Sequence, residues 1–259
     1  MEADLIAITR LPSARISECE LTYLEREPID FEAALGQHAA YCRALEGCGA
    51  AVEQLAADER YPDGVFVEDA AVVLDEIALI AMPGAASRQG EATSMGDILE
   101  QYRPLERMAL PATLDGGDVL RVGRRLYVGQ STRTNAAGAE WLARMAEPHG
   151  YTVIPVPVGG SLHLKTACTA LDEETILANP DWVDTRVFDG MRILCVEPGE
   201  PWAGNVLRIG ETVLMNAGSP RTADNVRAAG YPVAGIDISE FGKAEAGLTC
   251  LSLVFRRGR

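Results

Sequence analysis

The length and composition of the chain indicate a single large domain. Of its 259 residues 47% are hydrophobic and no linker or low-complexity tract divides them, so we expect one domain over residues 1–259. The formal net charge of −15 argues against nucleic acid and anionic lipid as partners and favours a cationic ligand. Six cysteines without a C-x-x-C pair argue against a disulfide framework and a structural zinc site.

The distribution of charged residues predicts a protein without export or membrane segments. The first twenty residues interleave apolar positions with charged ones such as Asp4, Arg10 and Glu18, so we expect no export signal. The later apolar run from Val72 to Met82 is broken by charged residues, whereas a membrane-spanning helix needs roughly 18 apolar residues. We therefore expect a cytoplasmic protein with no membrane partner.

In chain order, the first predicted element is a helix from about Asp30 to Glu46. Its apolar side chains recur at the helical period on one face, which we expect to face the core. His38 lies on that face, where a buried structural histidine is the favoured interpretation. His149, in a Pro-His-Gly helix stop further along, is most simply an exposed turn residue.

Pairs of short apolar runs separated by a turn then recur along the chain, and each pair predicts a β-hairpin. Four pairs start about 40 to 50 residues apart, and a fifth start at Leu251 holds only the C-terminal strand. The four hairpins span residues 72–80, 119–128, 168–177 and 206–215. Repetition at this period is typical of blades or modules arranged around an axis.

Helices and single strands are predicted between the hairpins. Asn135 is a candidate N-cap for a helix over 136–147, and Thr222 for a helix over 223–229. Single strands are expected at residues 152–156 and 192–196. The order of these elements predicts an α/β fold built from repeated ββαβ modules.

Two segments bring reactive side chains to equivalent positions. His163 follows a glycine-containing loop at the start of a strand, and Cys250 leads from Gly247 into the terminal strand. Asp115 lies in an Asp-Gly-Gly run that opens the second hairpin. Alone, the cysteine is most simply a buried hydrophobe and the aspartate an ordinary turn residue. Together, a cysteine, a histidine and an orienting carboxylate are the groups that form and use a thiolate nucleophile.

Acidic residues before the first hairpin indicate the kind of ligand. Asp63, Glu68 and Asp69 cluster beside an apolar strand, and paired carboxylates suit the fixed donors of a guanidinium, although a solvated acidic loop shows the same pattern. Arg88 and Arg133, each in a loop after a hairpin, are candidates for a substrate carboxylate, against the simpler interpretation as surface arginines. The partner expected is a small guanidino molecule.

Six ordered segments resemble the dimethylarginine dimethylaminohydrolases of the guanidino-modifying (pentein) superfamily. They are residues 62–69, 83–88, 113–120, 133–135, 162–165 and 247–250. The resemblance runs over most of the chain and implies a five-bladed α/β propeller of ββαβ repeats. It also implies a hydrolase that converts asymmetric dimethylarginine or monomethylarginine to citrulline and dimethylamine or methylamine.

The same resemblance implies a role for each site residue. Cys250 is the expected nucleophile, forming a covalent S-alkylthiouronium intermediate, with His163 as general acid and base and Asp115 holding the imidazole. No cofactor and no metal are expected. The expected substrate contacts are Asp69 and Glu68 with the guanidinium, Phe66 with the aliphatic stem, Asp63, Arg88 and Arg133 with the amino-acid end, and a backbone carbonyl of Leu21.

Other interpretations stay open from the sequence. An arginine deiminase-like hydrolase or another guanidine-modifying enzyme has similar motifs and differs in the group released or transferred. A catalytically silent protein that binds guanidino ligands is the non-enzyme alternative, and the complete Cys250, His163 and Asp115 set argues against it. A zinc site made of His163 and Cys250 has too few ligands. Symmetry statistics favour a homodimer.

Overall fold

The protein is built from small three-stranded sheets with short helices between them. The computed structural model describes residues 4–258. Within them the strands are β1 (Leu5–Arg10), β2 (Ala50–Leu55), β3 (Ala71–Val73), β4 (Ala78–Ile80), β5 (Leu105–Arg107), β6 (Val119–Val122), β7 (Arg125–Gln130), β8 (Thr152–Pro157), β9 (Cys168–Ala170), β10 (Thr175–Ala178), β11 (Arg192–Cys195), β12 (Leu207–Ile209), β13 (Thr212–Asn216), β14 (Val233–Ile236) and β15 (Leu253–Arg256). The helices are α1 (Phe31–Gly47), α2 (Glu91–Leu99), α3 (Ala136–Ala146), α4 (Leu164–Ala167), α5 (Pro220–Ala228) and α6 (Ser239–Gly242).

The five sheets in this part of the chain share one plan. An inner strand pairs antiparallel with a middle strand, which pairs parallel with an outer strand. In the sheet β6-β7-β8, for example, Val119 lies opposite Val128, and Arg125 lies opposite Thr152. The four predicted hairpins are the inner and middle strands of four of these sheets, so that prediction is confirmed.

The fifth sheet joins the two ends of the chain. Its inner strand β15 pairs antiparallel with β1, with Leu5 opposite Arg256, and β1 pairs parallel with β2. The sequence predicts only the C-terminal strand of this unit. Its partner lies at the other end of the chain, where no turn signal links the two strands.

Five hydrophobic clusters join each sheet to its neighbours. One contains Phe255 of β15 and Ile80 of β4, and the next three follow the order of the sheets along the chain. The last contains Leu214 of β13 and Ala7 of β1, which closes the ring. Because the sheets form a closed cycle around an axis, the fold is a five-bladed α/β propeller, as predicted.

The predicted helices form, with one difference at an N-cap. Asp30 and Asn135 cap α1 and α3 through side-chain hydrogen bonds. The predicted N-cap at Thr222 is wrong, because α5 begins at Pro220 and the Thr222 hydroxyl donates to the Glu200 carboxylate instead. The sequence does not predict α2, β5 or β14, whose apolar residues are mixed with charged residues or glycine. None of the helices within residues 4–258 is long and apolar enough to cross a membrane.

A short helical turn precedes each inner strand, and the five turns gather at one end of the propeller axis. They are residues 67–70, 116–118, α4, 201–204 and 249–251. The first turn contacts the second and the fifth, and α4 contacts the second and the fourth. Side chains that are far apart in sequence therefore meet where these turns converge.

Candidate active site

Four of the five turns carry residues that the sequence singles out. Asp69 lies in the first turn, Asp115 immediately before the second, His163 immediately before α4 and Cys250 in the last turn. The prediction that His163 and Cys250 start strands is wrong, because a helical turn separates each from its inner strand. The turn at 201–204 carries no ionisable side chain.

A small cavity of about 20 Å³, close to the room that one water molecule occupies, is lined by residues of the first and last turns, by His163 and by loops. Most of the predicted site residues line it, namely Asp63, Phe66, Asp69, Arg88, Arg133, His163 and Cys250. Asp115, Glu68 and Leu21 are not part of the lining, although Asp115 contacts His163 directly. The structure thus brings a cysteine thiol, a histidine, carboxylates and guanidinium groups to the lining of one cavity.

The His163 imidazole is held between two carboxylates. Its Nε2 lies 3.0 Å from Oδ2 of Asp115, and its Nδ1 lies 3.9 Å from Oδ1 of Asp69. A Cβ at Gly117 would lie 2.6 Å from Nδ1, so glycine is what leaves room for the ring. Burial by itself lowers the pKa of His163, but the Asp69 charge and the Asp115 hydrogen bond outweigh it and raise the pKa to about 9. The ring is an imidazolium at neutral pH.

Cys250 is a buried thiol, with 7% of its surface exposed. Burial, together with the carboxylates of Glu68 and Asp69, raises the pKa of this thiol above its usual value. Without a bound cationic ligand the thiol form is therefore favoured. A cationic ligand beside the sulfur would lower the pKa again, which couples formation of the nucleophile to ligand binding.

Asp69 is an ionised acceptor in spite of its burial. Burial raises its pKa, but the His163 and Arg88 charges outweigh that effect and lower the pKa to about 2. Its Oδ2 accepts a hydrogen bond from Nη1 of Arg88 at 2.7 Å, and its Oδ1 accepts the Gly117 N–H at 3.0 Å. Arg88 also donates to the Glu91 carboxylate. Asp69 therefore already binds one guanidinium, and the donors of Arg88 are engaged within the protein.

Arg133 and Asp63 provide charge at another part of the lining. Nη1 of Arg133 is buried, lies 3.9 Å from Oδ2 of Asp115 and has no hydrogen-bond partner among residues 4–258. Its Nη2 makes a long hydrogen bond of 3.4 Å to the Thr22 hydroxyl. The two oxygens of Asp63 accept the Glu20 N–H at 3.1 and 3.2 Å, and burial raises the pKa of this carboxyl. Arg133 thus has a free donor for an anionic group of a ligand.

Glu68 faces a second, larger cavity on the propeller axis. This axial channel of about 420 Å³ is lined by the inner strands β3, β6, β9, β12 and β15. Glu68 accepts hydrogen bonds from Nζ of Lys165 at 2.5 Å and from the Thr249 hydroxyl at 2.7 Å. These three residues form a polar wall between the channel and the turn that carries Cys250.

The two predicted apolar contacts lie beside the site. Phe66 lines the cavity and packs edge-to-face on Phe241, with ring centroids 6.4 Å apart. Leu21 is half-buried and packs against the hydrophobic cluster that contains Phe66 and Cys250. Both side chains therefore belong to the apolar surroundings of the thiol.

Three polar residues that support the site have no role predicted from sequence: Asp118, Lys165 and Glu245. Asp118 accepts hydrogen bonds from two hydroxyl groups and from the Leu164 N–H, which fixes the start of the turn after His163. A signal for Asp118 exists, because it closes the run from Leu114 that the family resemblance includes. No local pattern marks Glu245, whose side-chain hydrogen-bond partners are more than 200 residues away.

The donor atoms around His163 also have a spacing that a metal ion accepts. One atom each of Asp69, Asp115 and His163 lies within 4.8 Å of the others. The same carboxylates raise the pKa of His163, however, and a metal ion would have to displace the imidazole proton that they stabilise. This donor set fits proton transfer better than metal binding.

Comparison with known proteins identifies the family. A family profile described as N,N dimethylarginine dimethylhydrolase, eukaryotic, matches residues 14–187. The N(G),N(G)-dimethylarginine dimethylaminohydrolases of Pseudomonas aeruginosa and Streptomyces coelicolor are 38% and 41% identical, over 87% and 96% of this chain and 90% and 96% of theirs. A solved cysteine-to-serine mutant of the Pseudomonas aeruginosa enzyme complexed with citrulline gives a TM-score of 0.93 at 36% identity, covering 96% of this chain and 98% of that one. This chain belongs to the dimethylarginine dimethylaminohydrolase family.

Proposed function

We propose that this protein hydrolyses asymmetric dimethylarginine or monomethylarginine to citrulline and dimethylamine or methylamine. The observation that carries the proposal is the convergence at one cavity of a buried cysteine, a protonated histidine bonded to a carboxylate, and an ionised aspartate. The names of the two bacterial relatives, and the citrulline bound in the neighbouring structure, support the same reaction.

The charges around the cavity suit the two ends of such a substrate. Asp69 receives the guanidinium, taking it in addition to or in place of the Arg88 contact. The free Nη1 of Arg133 takes the substrate carboxylate, and Asp63 takes the ammonium group. The remaining proposed contacts are Phe66 along the aliphatic stem and the backbone carbonyl of Leu21. Arg88, at the amino-acid end, and Glu68, behind the guanidinium, act through their charges, because their side chains are engaged within the protein.

The first half of the reaction forms a covalent intermediate. The bound guanidinium lowers the pKa of Cys250, and the thiol proton passes to solvent. The thiolate attacks the guanidinium carbon and forms a carbon–sulfur bond. His163 then gives its proton to the methylated nitrogen, the carbon–nitrogen bond breaks, and the amine leaves. An S-alkylthiouronium group remains on Cys250.

The second half releases citrulline. A water molecule attacks the same carbon while His163, now neutral, accepts one of its protons. The carbon–sulfur bond breaks, and the proton of the added hydroxyl group passes to solvent, which frees citrulline and the thiolate. Asp115 keeps the imidazole oriented throughout, and these steps require neither a cofactor nor a metal.

The test is product analysis with a matched pair of cysteine variants. The parent protein, Cys250→Ala and Cys195→Ala are incubated with asymmetric dimethylarginine, monomethylarginine and arginine, and citrulline, methylamines and ammonia are measured. Cys195 is an exposed residue of β11 and serves as the control. We expect citrulline and dimethylamine from the parent and from Cys195→Ala, and a loss of at least about 10³-fold for Cys250→Ala.

Each other result assigns a different function. Citrulline and ammonia from arginine, without turnover of methylated substrates, would assign an arginine deiminase-like activity. Binding of methylarginine without any product would assign the silent binding protein. A cytoplasmic location, a homodimer and a single domain over the whole chain stay predictions from the sequence.

A further inference from the structure

A surface loop borders the active-site cavity, which its Glu20 lines. In this lid, residues 20–24, the Glu20 N–H is bonded to Asp63, and the Thr22 hydroxyl accepts the hydrogen bond from Arg133. Asp63 and Arg133 are the residues proposed to hold the amino-acid end of the substrate. When substrate binds, its ammonium and carboxylate compete with the lid for the same two side chains.

The third partner of the lid is Glu245, which also lines the active-site cavity. One carboxylate oxygen, Oε1 of Glu245, accepts the backbone N–H groups of Thr22, Tyr23 and Leu24 at 3.0, 2.5 and 2.6 Å. Successive backbone N–H groups that converge on one point form a favourable site for an anion. Glu245 is 3% exposed, so this contact is largely shielded from water.

The backbone of Glu245 indicates that its position is held by its surroundings. Its φ of 59° makes it the one non-glycine residue among residues 4–258 with a positive φ. Such a conformation costs on the order of 1 kcal/mol or more in a residue with a Cβ, and it persists where the surrounding contacts compensate. The three lid N–H groups, together with the Gly242 carbonyl that accepts the Glu245 N–H, are the hydrogen-bond partners of this residue.

Apolar packing holds the lid at Leu21, which packs against the hydrophobic cluster that contains Phe66 and Cys250, but not at the residues that follow. The side chains of Tyr23 and Leu24 are 47% and 38% exposed. Beneath Leu24 lies a cavity of about 130 Å³, which Glu245 also lines, rather than packed core. The lid therefore depends mainly on hydrogen bonds, of which the Glu245 set is the largest.

We propose that Glu245 is a positioning residue that latches residues 20–24 over bound substrate. The active-site cavity of about 20 Å³ is too small for an amino acid, so the lid must open for substrate to enter. Once Asp63 and Arg133 turn to the substrate, Glu245 and the Ser87 hydroxyl, which donates to the Glu20 carboxylate, remain as the anchors that return the lid. The latch thus sets substrate affinity without touching the reacting atoms, and it rests on the function proposed above.

The test compares Glu245→Ala and Glu245→Gln with Glu200→Gln. Glu200 is a matched control, because its buried carboxylate also accepts backbone N–H groups, those of Arg221 and Thr222, away from the active-site lining. We expect Glu245→Ala to raise KM at least about tenfold with kcat within about threefold. Glu245→Gln should lie between the parent and Glu245→Ala, since its amide oxygen still accepts hydrogen bonds and its volume is unchanged.

Hydrogen exchange separates the latch from the proposed activity. The N–H groups of residues 22–24 should exchange at least about tenfold faster in Glu245→Ala than in the parent, whether or not the protein turns over methylarginine. Unchanged exchange in a folded Glu245→Gln and Glu245→Ala would overturn the latch. So would a fall in kcat with unchanged KM, which would place Glu245 among the groups that act on the reacting atoms.

Discussion

The two cavities on the propeller axis differ in size and in chemistry. The axial channel has about 420 Å³ and the active-site cavity about 20 Å³. The described residues that line the channel include no cysteine and no histidine, whereas the small cavity is lined by Cys250 and His163. The channel is made by inner strands, which repeat from blade to blade, and the small cavity by turns and loops, which differ between blades. The reactive side chains therefore lie at the smaller cavity, where turns of different sequence converge, and not at the larger one.

The wall between the two cavities is an ion pair. Burial raises the pKa of Glu68, and the Lys165 ammonium and the Thr249 hydroxyl oppose that effect. Thr249 is the neighbour of Cys250 in the same turn. The position of Cys250 is thus linked to the ion pair between Glu68 and Lys165. The sequence does not predict that this pair separates the two cavities.

The largest expected effect comes from replacing His163, the proposed general acid and base at the small cavity. We expect His163→Asn to lower kcat/KM for methylarginine by about 10² to 10⁴, because no other side chain that contacts Asp115 within residues 4–258 can carry the proton. Arg121→Ala, at a partly exposed channel residue, should stay within about twofold of the parent. Comparable losses in the two variants would contradict the division between the cavities.

A smaller effect is expected when one member of the ion pair between Glu68 and Lys165 is replaced. Lys165→Met leaves the Glu68 carboxylate buried without its cation, so we expect the free energy of unfolding to fall by about 3–5 kcal/mol in urea denaturation. The double variant Glu68→Gln, Lys165→Met should recover part of this loss, because no buried charge is left unpaired. A single variant within about 1 kcal/mol of the parent would show that the pair is not a structural wall.

The smallest expected effect is a shift in the pH profile. His163 must be protonated to release the amine, and its raised pKa means that kcat/KM falls as pH rises through about 9. Asp115 raises this pKa, so Asp115→Asn should move the fall to lower pH by about one unit. A pH–rate profile of both proteins checks the shift; an unmoved alkaline limb would mean that another group sets it.

Local sequence patterns predict much of the fold and of the site. Alternating apolar residues around short turns determine the four hairpins, because a strand pair joined by a tight turn involves only neighbouring residues. The motifs around Asp115, His163 and Cys250 mark the reactive groups in the same way, since each motif combines a special backbone residue with its side chain. The family resemblance of these motifs implies a contact between His163 and Asp115, and the structure places Nε2 3.0 Å from the carboxylate.

The sequence by itself thus determined the repeat, the family and the chemical groups, while the tertiary structure decided how they face one another. Only the closed ring pairs β15 with β1, turns Glu68 toward the channel and engages Arg88 with Asp69. Only that ring brings Glu245 to the lid, across more than 200 residues. No local pattern encodes such contacts, because they arise from burial and hydrogen bonding between turns that become neighbours when the five blades close.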